Sequence, residues 1–122
     1  MTRRFSLAAR ARGFVHAGRG VAYLFATQHN AWIHLAAAAA VIAAGIHYKV
    51  TRWEWCWLTL AIGLVLAAEA MNTAVEALAD ALAPEFNADV GRAKDVAAGA
   101  VLILAITAAA IGALVFLPHL FT

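Results

Sequence analysis

Long uncharged runs separated by short polar pauses govern this chain. Ala31 to Tyr48 carries no formal charge and is built mostly from Ala, Ile, Val and Leu. At about 1.5 Å per helical residue it spans roughly 27 Å, just enough to cross the hydrocarbon core of a bilayer. A second run, 53–82, ends before Pro84 and is longer than the core requires, about 45 Å, so it must tilt or protrude. A third, 96–117, is uncharged and is closed by Pro118. Three transmembrane helices are predicted.

The pauses have their own character. Tyr48, Trp53, Trp55 and Trp57 cluster around Lys49, Arg52 and Glu54, the mixture of rings and charges that marks a membrane–water boundary. Thr27 to Asn30 is a polar break, and Glu85 to Asp95 reads as a polar loop. Ahead of the first run, residues 7–26 place Leu7, Phe14, Val21 and Phe25 on one side of a helical projection and Arg12, His16 and Arg19 on the other. That is an amphipathic surface helix, weakened by Gly13, Gly18 and Gly20; a flexible basic tail is the alternative.

Composition agrees. Of 122 residues, 65% are apolar and 13% charged, and the mean hydropathy is +0.80. The charged fraction is half that of an ordinary soluble protein, which points to a single membrane domain over 1–122 and an all-α integral membrane fold. The net charge of +2 excludes a nucleic-acid binder in favour of a chain whose arginines, Arg3, Arg4, Arg10, Arg12 and Arg19, set topology. With Arg92 and Lys94 they place the N-terminus and the 85–95 stretch in the cytoplasm and the tryptophan turn outside. The early arginines interrupt any signal-peptide pattern. Cys56 has no partner for an internal disulfide.

One helical face breaks the apolar rule. Glu69, Asn72, Thr73, Glu76 and Asp80 fall within an arc of roughly 100°. Acids at membrane depth are costly and call for a function. Climbing from the core into water, this face could place a base at a lipid hydroxyl, a carboxylate at Mg²⁺ and further groups at a nucleotide, with Lys94 on the phosphates. A proton-coupled transporter using Glu69, or structural pairing with Arg92 and Lys94, uses the same residues. His34 reads as an interfacial histidine, hydrogen-bonded near a helix end. Alanine stretches such as Ala36 to Ala40 suit close helix packing, and three crossings enclose so little volume that a homo-oligomer is expected.

The motif Glu69-x-x-Asn72-Thr73-Ala74-Val75-Glu76-x-x-x-Asp80, followed by Gly91-Arg92-Ala93-Lys94-Asp95, resembles the prokaryotic diacylglycerol kinase family, small membrane lipid kinases unrelated to soluble kinases. The similarity runs from about Arg12 to Leu120. It implies a homotrimer with sites shared between subunits, at the cytoplasmic face of a bacterial inner membrane, with ATP as co-substrate and Mg²⁺ as cofactor. It implies Glu69 as general base with Asn72 beside it, Glu76 and Gln28 at the metal, and Ala98 with Glu69 at the lipid. Nucleotide contacts fall to His16, Asp80, Glu85, Phe86, Asn87, Lys94 and Asp95.

Four positions depart from the pattern: Gln28 where family members carry a glutamate, His16 where tyrosine is frequent, and Phe86-Asn87 where others have Tyr-His. Asn30-x-x-Ile33-His34-Leu35, Arg52-x-Glu54-Trp55 and Phe116-Leu117-Pro118 are more similar to the undecaprenol kinase branch than to the diacylglycerol kinases. The expected reaction is transfer of the γ-phosphate of ATP to a lipid alcohol, undecaprenol ahead of diacylglycerol.

Overall fold

The computed structural model describes residues 4–122, which form four helices: α1 (Leu7–Thr27), α2 (His29–Tyr48), α3 (Arg52–Leu82) and α4 (Ala88–Leu120). Three of them, α2, α3 and α4, are long and apolar enough to cross a membrane.

Local signals set the boundaries. The Ser6 hydroxyl caps α1 by accepting the Ala9 N–H at 3.3 Å. Gly13, Gly18 and Gly20 lie inside α1 without interrupting it. The chain leaves helical geometry for one residue, Gln28 (φ −116°, ψ 114°), before α2 begins. The Trp32 indole N–H donates to the Phe25 carbonyl at 2.6 Å, and the two rings meet edge to face with centroids 5.5 Å apart. That clasp fixes the angle at which α1 leaves α2. Of α1, Leu24 is the residue that becomes buried.

The α2–α3 turn is closely specified. Lys49 adopts the left-handed conformation (φ 54°), its N–H bonds to the Ile46 carbonyl, and the Val50 N–H reaches the Gly45 carbonyl at 3.1 Å. These are the paired bonds of a Schellman motif, here with lysine where glycine is usual. Thr51 then opens α3 with a reciprocal capping box: its hydroxyl accepts the Glu54 N–H, and Glu54 accepts the Thr51 N–H at 2.9 Å. Beneath the turn, Val50, Leu58 and Val115 are buried, with Val41, Tyr48, Trp55, Ile111 and Phe116 packed around them. The Trp55 ring lies over Gly45 so closely that a Cβ there would come within 2.5 Å of it. His119, in the last turn of α4, sets Nε2 3.0 Å from Glu54 Oε2 and ties the end of α4 to the start of α3.

At the other end the polar stretch differs from expectation. Of residues 85–95, expected as loop, only those through Asn87 are non-helical, and the third apolar helix starts at Ala88 rather than residue 96. The cause is the Asn87 side chain, which accepts the backbone N–H groups of Asp89 and Val90 at 3.0 and 3.1 Å. Asp89 in the first turn suits the helix dipole and pairs with Arg92 one turn on. Lys94 and Asp95 are therefore helical residues. Pro118 does not close α4 but sits inside its last turn. A ring so near the end forfeits one backbone bond and leaves little helix beyond it to break.

The bundle has a small core. α3 packs most extensively against α4 and less against α2. Val115 is the buried residue of α4, while Leu102, Ile103, Ile106 and Leu114 on it are more than 60% exposed. A helix apolar on every side, with so little of it covered, matches a lipid environment or contact with further copies.

Candidate functional site

α3 carries the site, and burial falls steadily along its acidic face. Glu69 is 1% exposed, Asn72 and Thr73 are buried, Glu76 is half-buried and Asp80 is exposed. At about 1.5 Å per residue, Glu69 and Asp80 are separated by roughly 16 Å along the helix axis. Threonine inside this helix satisfies itself: the Thr73 hydroxyl donates to the Glu69 backbone carbonyl at 2.9 Å.

The polar groups behind it are not satisfied. Neither carboxylate oxygen of Glu69 has a hydrogen-bond partner among the described residues, and the buried Oδ1 of Asn72 has none. Asn72 does donate through Nδ2 to Glu76 Oε1 at 3.4 Å. Unpaired buried acceptors each cost on the order of 1–3 kcal/mol, so a site of this kind is held against its own stability by the rest of the bundle.

From α2, His34 places Nε2 3.6 Å from Glu69 Oε2. The expectation of an interfacial histidine needs correction here, because the imidazole turns inward to the acid of the next helix. The reason is register. His34 lies 14 residues before the end of α2 and Glu69 lies 17 after the start of α3. In an antiparallel pair those positions, about 21 and 26 Å from the turn, come level. The His34 ring also borders an apolar groove of about 260 Å³ between α2, α3 and α4, with Ala38, Leu58, Ala61, Val65 and Ala108 among the other walls.

Toward the exposed end, α4 contributes Lys94, whose Nζ lies 3.1 Å from Asp80 Oδ1. The motif on α3 and the Gly91–Asp95 segment are thus brought together in space. Asp95 beside Lys94 is exposed. In the connection between the helices Glu85 and Phe86 are exposed, and Asn87 has its carbonyl oxygen committed to capping α4. Ala98, one turn past Lys94, is exposed, as is His16 on α1. Gln28 is half-buried at the α1–α2 junction and makes no side-chain capping bond to α2. Among the described residues no three His, Cys, Asp or Glu side chains converge as a metal cage. The oxygen donors at hand are the Glu76 carboxylate and, one turn earlier, the unpartnered Asn72 carbonyl.

A buried acid and an adjacent amide–carboxylate pair on one face of α3, with a lysine of α4 near its exposed end, form the layout to set against the known relatives. The description of prokaryotic diacylglycerol kinase matches residues 15–116. The chain belongs to the prokaryotic diacylglycerol kinase family. An undecaprenol kinase of Bacillus subtilis (strain 168) is 39% identical over 109 residues, 89% of each chain. A diacylglycerol kinase of Synechocystis sp. is 39% identical over 108 residues, 88% of this chain and 62% of the relative. A diacylglycerol kinase of Escherichia coli (strain K12) is 30% identical over 106 residues, 79% of this chain and 84% of the relative. The family and the three apolar helices establish a membrane lipid kinase that uses ATP, and they set the transporter expectation aside.

Proposed function

We propose that this kinase phosphorylates the hydroxyl of a polyprenyl alcohol, undecaprenol in preference to diacylglycerol, at the cytoplasmic face of a bacterial inner membrane. The observation that carries the reading is the burial gradient on α3, from an enclosed carboxylate at Glu69 to an exposed Asp80–Lys94 pair. A lipid hydroxyl approaches from the membrane and a nucleotide from water, so the two substrates need groups at different depths on one face.

Glu69 is the general base. Its carboxylate, with neither oxygen hydrogen-bonded, is free to accept the acceptor hydroxyl's proton. Asn72 stands one turn nearer water and orients Glu76 through its amide. Glu76 and Gln28 would hold Mg²⁺, which would supply charge neutralisation for the transferring phosphate. On this reading Glu76 contributes one carboxylate and Gln28 an uncharged oxygen, while the Asn72 amide holds Glu76. Such a set suits an ion that arrives carried on phosphates and keeps some of its waters. Lys94 exchanges Asp80 for the nucleotide phosphates, while Asp80, Asp95, Glu85, Phe86, Asn87 and His16 flank the nucleotide. Ala98 borders the acceptor lipid.

The undecaprenol preference is supported by the relative that matches this chain over 89% of both lengths. α1 would lie on the membrane surface with its arginines toward headgroups, and the uncovered apolar faces of α4 suit a homotrimer. Turnover on the two lipids, compared side by side with purified protein, ATP and Mg²⁺, tests the proposal by ADP release. Faster phosphorylation of undecaprenol is expected. A preference for diacylglycerol would reverse the substrate assignment, and no turnover on either by a folded oligomer would overturn the reaction.

A further inference from the structure

Glu69 poses a problem that its role as a base does not solve. A carboxylate 1% exposed, with no hydrogen bond to either oxygen, has nothing on its own helix to hold it in one orientation. A base must nonetheless be aimed when the acceptor hydroxyl arrives. The ion-pair neighbour within reach, among the described residues, is the imidazole of His34 on α2, with Nε2 3.6 Å from Oε2. That separation is a few tenths of an ångström beyond a hydrogen bond, a gap that a small rotation of either side chain closes. The ring is held inward by the level register of α2 and α3. It is 21% exposed where Glu69 is 1% exposed, so it is the polar group between the enclosed acid and the apolar groove.

We propose that His34 is a positioning residue for Glu69. Its Nε2 faces Oε2 across 3.6 Å and fixes the side-chain rotamer from which Glu69 takes the hydroxyl proton. In the step it supports, the acceptor oxygen forms a bond to the γ-phosphorus, the bond from that phosphorus to the β-bridging oxygen breaks, and ADP leaves with the electron pair. The hydroxyl proton passes to Glu69. His34 touches neither phosphate nor the reacting oxygen and acts through the carboxylate alone. This inference rests on the kinase reading of Glu69 given above.

The test compares His34→Leu, His34→Asn and His34→Gln by kcat and by KM for ATP. Gln carries an N–H donor about as far from its Cα as the imidazole Nε2 is. Asn keeps the amide but falls one bond short. Removing one hydrogen bond to a charged group predicts a kcat about 10- to 100-fold lower for His34→Leu and His34→Asn, with KM for ATP unchanged. His34→Gln is expected to recover most of that loss. Should His34→Leu fail to fold, the Asn and Gln pair, alike in polarity, gives the same comparison. Wild-type kcat in His34→Leu or His34→Asn, equal losses in Asn and Gln, or a KM for ATP that rises in step with the fall in kcat would each overturn the proposal. Glu69→Gln separates the two layers. If it stays active, Glu69 is not the base; if it is inactive while His34→Leu or His34→Asn is fully active, only the positioning role falls.

Discussion

Among the described residues, two histidine–glutamate pairs, one at the tryptophan turn and one about 26 Å further along α3, are built on opposite terms. At the tryptophan end, Glu54 is met by His119 at 3.0 Å and also accepts the Thr51 backbone N–H, and both side chains are about a quarter exposed. Every strong acceptor there has a donor, and the pair locks α4 onto the start of α3. At the other end, Glu69 has His34 at 3.6 Å and no hydrogen bond to either oxygen, and it is almost wholly enclosed. The same two residue types give a clamp where the carboxylate is satisfied and, on the proposed reading, a base where it is not. Satisfaction of the acid, rather than its identity, separates structure from chemistry in this molecule.

Substitutions can break or sharpen that contrast. The largest effect is expected for Glu69→Gln, which removes the proposed base while keeping shape: turnover should fall by about 10²–10⁴-fold, with nucleotide binding retained when measured by ATP titration. Lys94→Ala comes next. It removes a cation meant for phosphates and should lower kcat/KM for ATP by about 10- to 100-fold, a loss of about 1.4–2.7 kcal/mol of transition-state stabilisation. Gly45→Ala acts on the satisfied end, where the new methyl meets the Trp55 ring. It should destabilise the protein by about 1–3 kcal/mol, read as a lower unfolding temperature in detergent, with kcat of the folded fraction unchanged. Smallest is Glu54→Gln, which should lower the unfolding temperature slightly and leave kcat alone. A large loss of kcat there would show that the two ends are coupled and that the contrast is too simple.

Much of this was legible in the sequence, and the misreadings share a cause. The uncharged runs marked three apolar helices because no other structure satisfies backbone groups in lipid. The graded face from Glu69 to Asp80 was legible because it lies within one helix, where 3.6 residues per turn fixes which side chains share a side. Groups contributed by different helices were harder. His34 meets Glu69 only through the α2–α3 register, which depends on the length of the turn at Lys49 to Thr51. Lys94 was assigned to the right neighbourhood but to a loop. One cap, Asn87, decides that the charged stretch from Asp89 to Asp95 is helix. Charge density alone argued for a loop there, because propensity and polarity are weak beside a well-formed N-terminus.

The unbroken length of α3 has one more consequence. A continuous helix holds Glu69 and Asp80 at a fixed difference in height, about 16 Å, that no loop movement can alter. On the proposed reading α3 is a depth gauge, and acceptors are sorted by the level at which they carry their hydroxyl more than by the structure of their tails. An alcohol attached directly to a hydrocarbon chain can sink to meet the acid, whereas one borne on a glycerol ester is held higher by its polar carbonyls. Lengthening α3 by one turn between the two acids would move the gauge by about 5.4 Å and should retune the lipid accepted, while shifting Asp80 out of register with Lys94.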